Sequence, residues 1–172
     1  MARRYEFTWD LLGNLEQGRP NLGPSTRVEI YRLMQFCLRD LIEQEVGTAG
    51  ADRIFYEAGK LAGRQLYEHM VGTPASLDEF VAKLQTILRD MQIGVLRIEE
   101  VDPSANRIVL TVAEDLDCSG LPELNHEVCT YDEGFIAALL EGFTGRSYSV
   151  REVDCWCTGD RTCRFQAELQ AV

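Results

Sequence analysis

The sequence is short of several things, and each shortage excludes a class of function. No stretch of its 172 residues approaches the ~20 continuous apolar residues of a membrane span. The opening MARRYEFTWD is basic but leads into no apolar segment, so no secretory leader is expected and the cytoplasm is the expected compartment. Basic side chains are outnumbered, 17 Lys and Arg against 28 Asp and Glu, for a net charge of −11. Such a polyanion gains nothing by neutralising phosphates, so direct nucleic-acid binding and docking on an anionic membrane are not expected. Histidine is scarce: His69 and His126 each read as exposed or hydrogen-bonded residues rather than ligands or catalysts. No phosphate loop, dinucleotide fingerprint or catalytic triad stands in an interpretable context. The acidic pairs Glu99-Glu100 and Asp115/Asp117 read as solvated turns and strand ends rather than acid/base pairs. Binding is therefore favoured over catalysis.

What is present suits one domain spanning residues 1–172, with residues 1–25 as an N-terminal arm. In that arm, Tyr5 to Trp9 reads as a short strand or extended segment, followed by irregular chain rich in Gly and Pro. Ser25 and Thr26, with Glu29 three residues after Thr26, read as a capping box. The helix it starts has apolar residues at Val28, Tyr31, Met34, Cys37, Leu38, Leu41 and Ile42, and ends at Gly47. A second helix is expected from Ala51 to Met70; Gly59 and Gly63 lie four apart on it, a spacing that permits close packing. Ser76 and Glu79 form another capping box before a third helix with Phe80, Leu84, Leu88 and Met91 on its stripe. The period then shortens towards two. Ile93–Val101 and Ile108–Val112 flank the turn cluster DPSAN as a hairpin. A fourth helix, Tyr131 to Phe143, has Gly145 as its C-terminal cap. A second hairpin, Ser147–Trp156 and Cys163–Leu169, closes the chain. Segregated helices and antiparallel hairpins make the fold class α+β.

Six cysteines in a chain without a leader argue against a disulfide scaffold. Cys37 stands alone, whereas Cys118, Cys129, Cys155, Cys157 and Cys163 crowd the C-terminal part. Crowding of that kind in a reducing compartment points to metal or redox chemistry. Zinc takes four ligands, thiolate first among them, and accepts carboxylate. Cys155 and Cys163 flank a Thr158-Gly159-Asp160 turn, so one hairpin can bring their sulfurs together. Cys129 precedes the fourth helix, where backbone N–H groups favour a thiolate. Cys155 and Cys157 are two apart, hence on one face of a regular strand. On spacing alone either one is a ligand, or both are, and a strained redox pair between them is a third reading. Any one of these cysteines is also explained by core packing.

The run from Cys129 to Phe165 carries a family resemblance. A cysteine opens a helix containing Gly134; Gly145-Arg146 follows, then Glu152-Val-Asp-Cys155, Gly159-Asp160 and Cys163-Arg-Phe165. In this the sequence resembles the 4-vinyl reductase domain family, and FYEAGKLAGRQL, Phe55 to Leu66, resembles that family's first-half helix. The resemblance implies a zinc site of three cysteines and one glutamate, carried over by position to Cys129, Glu152, Cys155 and Cys163. Four protein ligands leave no open position, so the metal would be structural. Glu152 and Cys155 are three apart and face opposite sides of a flat strand, so one ion can take both only at a bulge or strand end. Cys157 departs from the family pattern, and neither it nor Cys118 is excluded as a further ligand or redox partner.

The resemblance also implies helices packed on an antiparallel sheet, similar to the ligand-binding domain shared by aromatic-sensing activators and vesicle-tethering subunits, which tend to dimerise. A small hydrophobic ligand (aromatic, lipid-like or tetrapyrrole) would sit in an apolar cavity under the helices beside the metal. Candidate walls are Phe55, Tyr56, Phe80, Leu84, Met91 and Trp156. With no ATPase motor or DNA-binding helices legible, the expected function is binding or sensing of that ligand, as sensor or carrier, by a zinc-stabilised homodimeric domain that signals through a regulatory partner. The alternatives are an accessory protein or reductase component in bacteriochlorophyll vinyl-group reduction, and a dimeric scaffold without ligand. Nothing legible would hold the flavin or nicotinamide that a reductase needs.

Overall fold

The computed structural model describes residues 4–170. No strand forms at Tyr5–Trp9; Trp9–Leu12 is a 3-10 turn and α1 (Leu15–Gly18) a single helical turn capped by Asn14. The arm is held locally, with the Trp9 ring stacked on His69 at 4.7 Å. The long helices are α2 (Val28–Val46) and α3 (Thr48–Leu66), separated by Gly47 at φ 73°. The expected cap at Thr26 is not made. Arg27 occupies the cap position, and its guanidinium pairs with the Glu29 carboxylate that a capping box would have used. The second expected helix is α3 continued by a π turn, Tyr67–Val71. Before α4 (Leu77–Asp90) the Ser76 hydroxyl accepts from Glu79 N at 3.2 Å, while the Glu79 carboxylate accepts from Ala75 N at 2.8 Å.

β1 (Val95–Asp102) and β2 (Arg107–Ala113) form the first hairpin. α5 (Thr130–Thr144) ends on Gly145 in the left-handed region. β3 (Tyr148–Asp154) and β4 (Cys163–Leu169) form the second hairpin, with a 3-10 turn at Trp156–Thr158 between them. All pairings are antiparallel and the order is β1-β2-β4-β3, so the two hairpins join through β2 and β4. Facing pairs such as Leu96–Val112, Leu110–Phe165, Val112–Cys163 and Glu152–Phe165 place one continuous face against the helices. α5 lies on that face and is buried along most of its length from Gly134 to Leu140.

α3 crosses α5 backbone to backbone. A Cβ on Gly59 would meet the Tyr131 carbonyl oxygen at 1.9 Å, and one on Gly134 would meet that of Tyr56 at 1.9 Å. The glycines at Gly59, Gly63 and Gly134 set this approach by having no side chain.

α2 is turned inside out. Its polar residues face the protein: Tyr31 and Gln35 donate to Asp117 at 2.7 Å each, and Arg32 donates to the carbonyls of Leu116 (2.8 Å) and Ser119 (2.9 Å). Its apolar stripe of Ile30, Leu33, Met34, Leu38 and Leu41 faces outward, 49–64% exposed.

Candidate metal centre and apolar cavity

The sheet and α5 deliver sulfur and carboxylate to one place because of a local irregularity. The β3–β4 register shifts between Glu152 and Asp154, and at that bulge Val153 is exposed while Glu152 and Cys155 are both buried. This is the geometry that lets two residues three apart face the same point. Cys155 is not on a strand. It caps the 3-10 turn, where the Thr158 hydroxyl accepts from Cys155 N (3.1 Å) and donates to its carbonyl (2.8 Å). Cys163 opens β4, Cys129 caps α5, and Cys118 comes from the connection after β2.

The sulfurs of Cys118, Cys129, Cys155 and Cys163 lie within 4.8 Å of one another. Cys118 and Cys163 are 3.0 Å apart, Cys129 and Cys163 3.9 Å, and all four are free and buried. A tetrahedral ion with metal–sulfur bonds of ~2.3 Å needs sulfur–sulfur edges of about 3.8 Å. The quartet therefore has the size and donor chemistry to hold a metal ion. Glu152 borders it: Oε2 accepts from Cys129 N at 3.2 Å, and Oε1 is buried with no hydrogen-bond partner. Of the four residues carried over from the family, three contribute sulfur to the quartet. Glu152 lies at its edge, and Cys118 is the fourth sulfur. Cys157 is also buried, but outside the quartet; its carbonyl accepts from Leu124 N and Asn125 N at 2.8 and 3.1 Å. The expectation of Cys155 and Cys157 on one strand face does not apply, because the chain has already left β3 for the 3-10 turn.

The electrostatics suit a cation. The S–H groups of Cys118, Cys129 and Cys163 hold the Cys155 thiol below its ordinary range, while the same contacts push Cys129 up. Burial first, and then the charge at Cys155, raise the Glu152 carboxyl to about 8. Several acids are thus crowded into a buried space, and among the described residues no basic side chain is hydrogen-bonded to any of the five.

Beside the quartet lies an apolar cavity of about 40 Å³, between α4, α5 and the inner face of β1 and β2. Its walls include Phe80, Leu84, Leu96, Leu110, Phe135 and Leu139. Its only polar residues among those described are Asp115 and Asp132, each with a carboxylate oxygen within 4.8 Å of the Cys129 sulfur. Asp132 stands in the first turn of α5, nine-tenths buried, and its Oδ2 has no hydrogen-bond partner. Burial, then Asp117 and Asp115, push its carboxyl well up. Burial and Asp117 raise Asp115 to about 7, although Asp115 Oδ1 accepts from Asp117 N (2.9 Å) and Cys118 N (3.1 Å).

Asp115 and Asp117 are not the solvated residues that the sequence suggests: each is only 3% exposed. The cause is α2, whose polar face closes over them. The D-x-D-C spacing signals an Asx-type turn, but turn chemistry carries no information about what packs on top of it. Glu99 and Glu100, by contrast, are exposed and pair with Arg164 and Arg107.

Of the six expected wall residues, Phe80 and Leu84 line the cavity. Phe55 instead packs on the α2 side of its helix, under the Arg39 guanidinium at 5.4 Å. Tyr56 is taken up by the α3–α5 crossing, and Met91 is exposed just past α4. Trp156 lines a separate open groove of about 460 Å³ and donates its indole N–H to the Leu121 carbonyl at 2.9 Å.

Residues 108–169 match the V4R domain family. An uncharacterized protein of Methanocaldococcus jannaschii is 27% identical over 121 residues, which is 70% of this chain and 66% of that protein, just under two thirds of its length. Among solved structures, a vinyl-4-reductase family protein from the same organism superposes with a TM-score of 0.63 at 18% identity, covering 99% of both chains. The phenol-responsive sensory domain of the transcription activator PoxR, with phenol, gives 0.59 at 15% identity over 77% of this chain and 71% of that one. Trafficking protein particle complex subunit 3 from Naegleria fowleri, covalently bound to palmitic acid, gives 0.63 at 14% identity over 84% of this chain and 95% of that one. At these identities the structures establish a shared fold.

Proposed function

We propose that this chain, which carries a V4R domain over residues 108–169, binds a small hydrophobic ligand and reports its presence to a partner. One zinc ion would stiffen the domain. The observation that carries this reading is the apolar cavity between α4, α5 and the sheet, with its polar end against the cysteine quartet. Ligand sites are typically of this kind, mostly apolar with a few convergent polar groups. The PoxR domain holds phenol and the trafficking subunit holds palmitate on the same fold. The cavity is slim, room for about three waters at the ~10–15 Å³ that each needs. A ligand of any length must therefore push a wall. α4 is the wall with the lightest packing, since it leans chiefly on β1 and the π turn.

Zinc is favoured by donor type, because four buried thiols grouped within 4.8 Å of one another suit a closed structural site. Cys118, Cys129, Cys155 and Cys163 would hold the ion, with Glu152 accepting from the Cys129 backbone N–H or entering in place of a sulfur. Bound zinc would supply the charge that five crowded acids need. The outward apolar stripe of α2 supports a homodimer, since a row of large aliphatic side chains along one helix costs free energy while it faces water. No helix among the described residues is long and apolar enough to cross a membrane.

Native mass spectrometry of freshly purified protein, with elemental analysis of the same sample, tests the reading. One zinc per chain together with an extra apolar mass is the expected result. Zinc-free protein would overturn the metal assignment. Protein that neither carries an apolar mass nor binds an added apolar ligand would favour the scaffold reading, to which the exposed α2 stripe already gives some weight.

A further inference from the structure

We propose that the cavity is specific for a ligand with a slim apolar body and a protonated amine head, the head seated between Asp132 and Asp115. This rests on the ligand-binding reading above and names the ligand class. Among the described residues the cavity wall contains two acids and no Lys, Arg or His. Asp132 Oδ2 is buried there without a hydrogen-bond partner, and a carboxylate oxygen of Asp115 lies within 4.8 Å of one on Asp132. A buried acceptor with no donor is costly, so the group that belongs at this end of the cavity is a donor.

Three head groups can be compared. A carboxylate would add a further acid beside Asp115, Asp117, Asp132 and the thiols, with no cation on the cavity wall to receive it. A hydroxyl donates a single hydrogen bond and brings no charge. An ammonium donates up to three, two of which can serve Asp132 and Asp115, and its positive charge favours the ionised form of carboxyls that burial alone keeps protonated, so that each bond becomes the stronger, charge-assisted kind. Zinc would not remove the demand, because four thiolates around one divalent ion still leave a negative centre next to Asp132. The rest of the cavity is aliphatic and phenyl side chains along a narrow slot, which suits a methylene chain better than a broad ring system.

The experiment is calorimetric titration of the zinc-loaded protein with 1-octylamine, 1-octanol, octanoate and ethylamine at physiological salt. Ethylamine has the same head without the body and controls for attraction to the net charge of −11. The expected result is one site for octylamine, at least about tenfold (~1.4 kcal/mol) tighter than octanol. Octanoate should be weaker than octanol, and ethylamine should not bind measurably. In Asp132→Asn, which keeps the side-chain shape, octanol binding should persist while the preference for the amine falls to roughly threefold or less. Octanol or octanoate binding as well as octylamine would overturn the amine head while leaving an apolar ligand site standing. No binding by any octyl compound would overturn both. Because the four-ligand comparison is made on the unaltered protein, a misfolded variant would not rescue the proposal.

Discussion

Replacing Gly134 by alanine tests the α3–α5 crossing on which both the quartet and the cavity are built. The new Cβ would lie 1.9 Å from the Tyr56 carbonyl oxygen and 2.8 Å from its carbonyl carbon. Both atoms are backbone inside a helix, so no side chain can swing away. To restore ordinary contact at 3.4 Å or more, the helices must part by about 1.5 Å. Over-packing of a core costs ~1–3 kcal/mol where side chains can adjust; here a whole seam must open, while alanine returns ~1 kcal/mol of helix propensity. The net loss should be ~2–4 kcal/mol, the upper end reflecting the rigid obstacle. For a domain of this size each kcal/mol moves Tm by ~2–4 °C, so circular-dichroism melts should show a fall of roughly 5–15 °C. Gly18→Ala is the control: nothing lies within 4 Å of its added Cβ, and Tm should hold or rise slightly. Gly134→Ala melting within ~2 °C of the parent would refute the close crossing.

Three further outcomes follow from the same geometry. Cys118→Ser should release metal to a competing chelator at lower concentration than Glu152→Gln does; the reverse order would mean that the carboxylate, not Cys118, completes the ligand set. Joint replacement of Leu33 and Leu41 by glutamate should turn a dimer into monomers by light scattering with little change in protomer melting, since both side chains already face out; a parent protein that is monomeric refutes the α2 interface. Asp115 holds its proton more tightly when folded, up to about 7 against an ordinary value of 3.8, so its contribution is complete below pH ~4 and lost as pH rises to ~7. Denaturant titrations should show stability falling over that window, by up to a few kcal/mol, and Asp115→Asn should flatten the slope; an unchanged slope refutes the assignment.

Much of the molecule was legible because its signals are local. Alternation and turn residues marked both hairpins, the Ser76 cap marked α4, and Gly145 marked the end of α5. The Gly59/Gly63 spacing pointed to close packing, and that is what the structure has. The need for a bulge between Glu152 and Cys155 followed from strand geometry alone, and the register shift lies there. What was not legible depends on which elements meet. That β2 pairs with β4 is invisible in either hairpin. That Cys118 reaches the sulfurs of the other hairpin depends on that pairing. Helical periodicity located α2 but could not say which face turns inward, and its polar face does so because Asp117 waits for Tyr31 and Gln35. The same ambiguity put Phe55 on the wrong side of α3.

The two candidate sites are not independent, because one turn of α5 serves both. Cys129 caps the helix and offers its sulfur to the quartet, while Asp132, one turn on, presents its carboxylate to the cavity. The loop that carries Cys118 begins at Asp115, the other acid of the cavity, and Asp115 Oδ1 accepts directly from Cys118 N. That loop is also where α2 is fastened, through Tyr31 and Gln35 on Asp117 and Arg32 on the Leu116 and Ser119 carbonyls. An occupant that bonded Asp115 and Asp132 would therefore pull on a segment tied at one end to the cysteine quartet and at the other to the helix whose apolar face is open. A metal at the quartet would fix the first end and so direct any displacement to the second. On the ligand-binding reading proposed above, occupancy of the cavity would be converted into a change at an exposed helix, and a structural ion would make that conversion one-sided.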